Sequence, residues 1–372
     1  MPDSTQLVRG TEVGAARRLD SLTALRFIAA FVVFGYHGTV LLTGNAAEIS
    51  AVIFGSGQSG VSFFFILSGF VLAWAVRNSD SPGAFYWRRF SRIYPAYFVT
   101  LAFGFFVILL TGADKPRSVF APLFMIQAWV PNPQVVLAVN VPAWSLSCET
   151  FFYAVFPLFV LAIRNLSRRS KLVFGVSLLV AVFVFAFVGQ SIATQDPAEF
   201  LSEWIVIFFP VARLPEFLLG AILGFLLRDG QISSRVPFWP TVVLALCAFA
   251  WGALNPTLFR IAAVPVIPFL LLICATAQWE ISSEDGNRIR SRLPVVLGEW
   301  SYAFYLVHVF CIGAIHTFAE KLGIADSADG LFTWIAVLSI SVVAAGCLHR
   351  FVERPANRLL ARFYDRRQQR RV

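Results

Sequence analysis

An all-α polytopic membrane protein of about ten transmembrane helices, with both termini cytoplasmic, is the fold this sequence predicts. Three observations carry that expectation: a composition too apolar for water, ten separate apolar windows, and a lopsided placement of positive charge. Hydrophobic residues make up 58% of 372 positions and charged ones only 14%, against about 25% charged in a soluble domain. Phenylalanine alone occurs 39 times, more than one water-soluble core needs. Most of the chain therefore reads as helix solvated by lipid.

The windows fall at residues 21–42, 57–76, 93–111, 143–163, 172–189, 204–227, 238–254, 261–279, 295–318 and 331–348. The first lacks a small-residue cleavage site and reads as a retained span, not a signal peptide. The stretch 119–130 is too short to cross and is followed by a proline-containing loop, so it reads as a half-helix or interfacial segment on the outer side. The organisation expected is a cytoplasmic segment over residues 1–20, a transmembrane unit over 21–350 and a basic cytoplasmic tail over 351–372.

Charge placement tests this layout. Of 30 Lys and Arg residues, the outer segments receive only Lys115, Arg117, Arg260 and Lys321, while Arg26 and Arg213 fall within spans. The remainder are cytoplasmic, as the positive-inside bias demands. Counting 119–130 as a crossing would invert every later loop and destroy the asymmetry. The net charge of +9 is thus explained by topology and anionic lipid headgroups rather than by nucleic acid. The five cysteines, Cys148, Cys247, Cys274, Cys311 and Cys347, lie in apolar segments without CxxC spacing, so neither a metal site nor a disulfide framework is expected.

Function must then rest on ionisable residues inside the bilayer, where they are costly. Arg26 and His37 are eleven positions apart in the first span, on one helix face and separated by roughly 16 Å along its axis. In the fourth span Glu149 falls one to two turns below the outer surface, the level expected for His37, and a carboxylate there would orient an imidazole base. Ser145 and Ser147 are placed to add hydrogen bonds. Cys148 projects about 100° away from Glu149 and is a weak candidate nucleophile. Arg89 and Arg92, three apart, share a face near Arg26 at the cytoplasmic mouth, an arrangement suited to phosphate, with plain topological charge as the simpler account from composition alone. Arg213 and Glu216 form an i, i+3 pair near mid-membrane that fits self-neutralising structure or a polar cavity equally well. His308, at mid-depth in the ninth span, fits helix packing or function. The Glu353-Arg354-Pro355 sequence reads as the stop of the last helix.

Several dispersed motifs resemble those of the acyltransferase-3 family of integral membrane acyltransferases. They are RLDSLTALRFIAAFVVFGYHG, GVSFFFILSGFVLAW, WRRFSRIYPAYF, PAWSLSCETFFYAVFP, RLPEFLLGAILG, LGEWSYAFYLVH and FVERP, and they occur in this order over nearly the whole chain. The resemblance implies O-acyl transfer, usually of acetyl, from cytoplasmic acyl-CoA to a hydroxyl of a glycan or lipid-linked acceptor across the plasma membrane. It also implies that His37 is catalytic and that Arg26, Arg89 and Arg92 serve the CoA side. Stand-alone members also include enzymes acting on small molecules such as macrolides. The family's usual second acidic residue after Glu149 is Thr150 here, which argues against a two-carboxylate mechanism. The physical reading agrees, since a pantetheine arm of roughly 15–20 Å matches the separation of Arg26 and His37. The competing class is a proton-coupled secondary transporter, which also uses intramembrane Arg, His and Glu.

Overall fold

The computed structural model describes residues 18–76, 81–112, 118–195, 200–282, 292–321 and 330–369. Arg9, Arg17, Arg77, Lys115, Arg117, Arg288, Arg290, Arg370 and Arg371, which entered the charge comparison, lie outside them. The described residues form helices and turns: α1 (Asp20–Gly38), α2 (Ser59–Ala75), α3 (Pro82–Thr111), α4 (Trp144–Ile163), α5 (Arg168–Gln195), α6 (Pro210–Arg228), α7 (Phe238–Leu254), α8 (Val266–Ser282), α9 (Arg292–Lys321) and α10 (Gly330–Leu348). Among the described residues, eight helical segments are long and apolar enough to cross a membrane, and α7 and α8 are shorter apolar helices. Each of the ten windows corresponds to one of these helices. The protein is an all-α polytopic membrane protein.

Two helix pairs fix the relative directions of the crossings. Arg18 meets Glu299, the Phe27 ring packs at a tilt against Phe304 and His37 meets His308, so α1 and α9 rise side by side in parallel. In the second pair α2 and α6 run parallel and almost in backbone contact. A Cβ at Gly69 would overlap the Phe217 carbonyl, and one at Gly220 the Ile66 carbonyl. Glycine is required at both, the small-residue packing by which helices associate without a hydrophobic drive in lipid. First and ninth, like second and sixth, share direction only if 119–130 does not cross.

Of the two forms expected for that stretch, a half-helix or an interfacial segment, the half-helix does not form. The stretch forms only two short turns, Phe120–Leu123 and Gln127–Trp129, within a segment that re-enters the helical bundle before α4. Met125 and Val139 take left-handed backbone, with φ of 53° and 65°, a state uncommon outside glycine and most of all for the β-branched Val139. Irregular backbone at this depth is tolerable only when protein satisfies it. Accordingly the Tyr97 hydroxyl donates to Pro122 O, Trp204 Nε1 to Ala128 O at 3.0 Å, and Gln127 Nε2 to Ala143 O at 2.9 Å. Asn140 Nδ2 then donates to Leu306 O at 3.0 Å. Leu306 lies midway along the 30 residues of α9, so α4 starts deep inside the bundle instead of at its surface.

The last helix also differs from its expectation. Glu353-Arg354-Pro355 does not stop it: His349–Glu353 widens into a π-turn, held by His349 Nδ1 against Glu353 Oε2 at 2.9 Å. Proline is accepted in the following turn, and the chain continues as an amphipathic helix, α11 (Arg354–Gln369). Trp87 anchors α11, donating Nε1–H to Leu360 O at 2.8 Å.

Candidate active site

Two connected cavities open into the bundle from its arginine-rich end. The wider is a vestibule of about 580 Å³ walled by Arg18, Trp74, Glu353, Arg354 and Asn357. It narrows where Arg26 and Arg92 line both spaces, and continues as a slot of about 90 Å³ between α1, α2, α3, α4 and α9. Arg89 and Glu149 also line the slot, and Ser145, Phe64 and Tyr305 line it as well.

The arginines reach this neck for local reasons. Arg26 lies two turns into α1. Arg89 and Arg92 lie in the second and third turns of α3, which begins at Pro82 with the Ser81 hydroxyl capping Ala84 N–H at 3.2 Å. Arg89 Nε is buried without a hydrogen-bond partner, a donor whose desolvation is uncompensated within the protein. Guanidinium groups converging on one opening suit a phosphorylated ligand.

Glu149 is not beside His37. It accepts from the Tyr153 hydroxyl at 3.3 Å and shares the slot with Arg26, Arg89 and Arg92. The cause is the re-entrant segment. Because α4 starts near Leu306 and runs toward the arginine-rich end, seven residues from Pro142 to Glu149 carry the carboxylate roughly 10 Å further that way. Glu149 is therefore the counter-charge of the arginine neck. Its sequence-based assignment as the partner of His37 is corrected.

The partner of His37 is His308, with Nδ1 of the first 3.0 Å from Nε2 of the second. His308 is fully buried, and its own Nδ1 lies 3.2 Å from Phe304 O. A carbonyl can only accept, so His308 Nδ1 carries a proton there. In the neutral pair its Nε2 must then accept from His37 Nδ1–H, which leaves the His37 Nε2 lone pair unengaged by the dyad. The ring is oriented by stacking: His308 lies parallel to Phe304 and edge-on to Phe34.

The remaining residues singled out from sequence separate into two groups. Ser145 lines the slot, its Oγ donating to Pro142 O at 3.1 Å. Ser147 does not, since it accepts Ala128 N–H at 3.4 Å and so ties down the re-entrant segment. Cys148 is fully buried and turned to Phe208 O, away from the slot. Arg213 and Glu216 are sealed: Arg213 donates to Ser62 Oγ at 2.8 Å and Val206 O at 3.3 Å, and packs over the Phe65 ring. Its 3.1 Å approach to Glu216 Oε2 is an ion pair without hydrogen-bond alignment. Tyr153, Glu353 and Tyr305 were not identified as site residues from sequence. Tyr153 left a legible signal in its i, i+4 spacing from Glu149, and Tyr305 another, three positions before His308 on one helix face.

The chain matches the model of the acyltransferase domain of the acyltransferase-3 family over residues 19–350. It is 36% identical to acyltransferase MdmB of Streptomyces mycarofaciens, covering 93% of each chain. It is 28% identical to the exopolysaccharide production protein ExoZ of Rhizobium meliloti (strain 1021), over 84% of this chain and 93% of that one. At 24% identity it matches a Staphylococcus aureus (strain COL) protein assigned as an O-acetyltransferase, over 93% of this chain and 58% of that one. No solved structure matches it. A slot that gathers arginines at its mouth and ends near a histidine pair is thus carried by a chain that belongs to the acyltransferase-3 family, and the protein is a membrane O-acyltransferase.

Proposed function

We propose that the protein moves an acyl group, acetyl in the first instance, from cytoplasmic acyl-CoA to a hydroxyl of a glycan or another extracytoplasmic acceptor. The observation that carries this reading is the pair of cavities, wide then narrow, joined at Arg26 and Arg92. Their shape follows that of the donor. A nucleotide needs the breadth of the vestibule, its phosphates need the arginine neck, and a pantetheine arm of roughly 15–20 Å spans the distance from Arg26 toward His37. In this reading both termini are cytoplasmic, in the plasma membrane, and Glu149 offsets the mutual repulsion of the arginines while the site is empty of phosphate.

His37 Nε2 takes the proton of the acceptor hydroxyl as that oxygen attacks the thioester carbon, and gives it to the departing thiolate. His308 fixes the tautomer that makes this possible, the orienting part played by a carboxylate in other base pairs. The designation of ExoZ as an exopolysaccharide production protein supports a glycan acceptor. The test is transfer from labelled acetyl-CoA in membranes with and without the protein, with mass spectrometry of both envelope glycans and secreted metabolites. His37→Ala should lose transfer by about 10³-fold or more while still binding acetyl-CoA. Undiminished transfer by that variant would overturn the mechanism, and acylated secreted metabolites with unmodified glycans would move the acceptor to the small-molecule class.

A further inference from the structure

Two hydroxyls in the slot lining share one acceptor. Tyr305, one turn before His308 on α9, donates to Pro142 O at 3.0 Å, and Ser145 donates to the same carbonyl at 3.1 Å. The two hydroxyl oxygens lie 3.0 Å apart. The Tyr305 ring centroid is 5.9 Å from that of His308 on one side and 6.0 Å from that of Phe64 on the other. Both residues are buried, yet both line the slot.

This sharing has a chemical consequence. A carbonyl oxygen has two lone pairs, so Pro142 O accepts both protons at once. Either hydroxyl can turn its proton into the slot while the other keeps Pro142 O satisfied. No buried acceptor is stranded, which is the usual penalty for borrowing a structural hydrogen bond. The neighbouring lining at this depth is apolar, Phe64, Phe65 and Leu146, so a hydrogen bond made here to developing negative charge is weakly screened.

We propose that Tyr305 is a catalytic residue, donating its phenolic proton in a hydrogen bond to the thioester carbonyl oxygen of the acyl donor, with Ser145 holding Pro142 O in its place. The proposal rests on the acyl-CoA reading. As the acceptor oxygen bonds to the carbonyl carbon and His37 Nε2 takes its proton, the carbonyl π pair moves onto the oxygen that faces Tyr305. When that pair returns, the carbon–sulfur bond breaks, and the thiolate leaves with the proton held by His37. Tyr305 retains its own proton throughout.

The experiment uses the full chain in lipid nanodiscs and acetyl-CoA carrying ¹³C at the thioester carbonyl. Difference infrared spectra report the carbonyl stretch, calorimetry reports donor binding, and steady-state assays report kcat and KM separately. In the wild type the bound carbonyl band should fall below its solution frequency. In Tyr305→Phe it should return toward that frequency, with kcat down about 10²–10³-fold and KM for acetyl-CoA within about twofold. Ser145→Ala, which leaves Pro142 O dependent on Tyr305, should lose less. An unshifted band in the wild type, an unchanged kcat in Tyr305→Phe, or a rise in KM alone would overturn the proposal and make Tyr305 a packing residue. If Tyr305→Phe does not fold, 3,5-difluorotyrosine at 305 retains the bond with a more acidic hydroxyl and should lower the band further. No further lowering would overturn the proposal equally. Failure of the wild type to bind acetyl-CoA would overturn the donor reading first, and this proposal with it.

Discussion

Two sets of arginine and carboxylate lie within this bundle, one buried and one half-buried, and they are built in opposite ways. Arg213 is 1% exposed and Glu216 fully buried, with the guanidinium bonded to Ser62 and Val206 and covered by Phe65. Ser62 passes the chain of bonds on to Ile261 O at 2.6 Å. Arg26, Arg89 and Arg92 instead face a slot beside Glu149. The first set crosslinks α2 and α6 to the π-turn at Trp204–Phe208; the second leaves donors for something else. Buried charge alone marks neither function nor structure. What separates the two is whether the charged atoms border open space.

The sharpest way to break this comparison is to remove Arg213. Arg213→Leu strands the Glu216 carboxylate in an apolar interior, and the expected loss is about 3–5 kcal/mol, seen as a lower melting temperature and poor folded yield in detergent. Combining it with Glu216→Leu should recover most of that stability and leave transfer activity near the wild-type level. A double variant that folds but transfers nothing would place the pair in the chemistry and erase the distinction. At the open cluster the signature should be reversed. Arg89→Gln with Arg92→Gln should barely change melting, yet raise KM for acyl-CoA roughly tenfold to a hundredfold, a charge-assisted hydrogen bond being worth about 1.5–3 kcal/mol. The same variants should be indifferent with acyl-pantetheine, which lacks the nucleotide phosphates. The smallest effect belongs at the vestibule rim. There Arg18 sits 2.6 Å from Glu299 and 2.9 Å from Asp20, but is 57% exposed. Arg18→Ala should cost under about 1 kcal/mol in stability, and thermal melts resolving a larger loss would mean that the rim pair helps to hold α1 against α9.

The histidine pair shows how far the sequence carried and where it stopped. The shared face of Arg26 and His37 follows from helix periodicity alone and appears in α1. That His37 and His308 sit at one height was nearly legible: each lies in the outer half or middle of a span, and first and ninth spans share direction. Contact between them was not legible, because it depends on which of ten helices are neighbours. The misplacement of Glu149 has a different origin. A surface start for the fourth span places Glu149 at the level of His37, whereas Asn140 and Pro142 are pinned to α9 at mid-length by Leu306 O and the Tyr305 hydroxyl. Nothing in the local pattern of PAWSLSCETFFY reports that anchoring.

The sequence by itself determined the class of fold, its ten apolar helices and the costly residues within them, because lipid penalises each unsatisfied or charged group position by position along the chain. Tertiary structure alone decided that His37 pairs with His308, that Glu149 joins the arginines, and that Arg213 is sealed while Arg92 is open. Those outcomes depend on the re-entrant segment that sets the depth of α4 and on the glycine contacts that seat α2 against α6. Such contacts join residues far apart in the chain, and their energies are set by fit between surfaces rather than by periodicity along one of them.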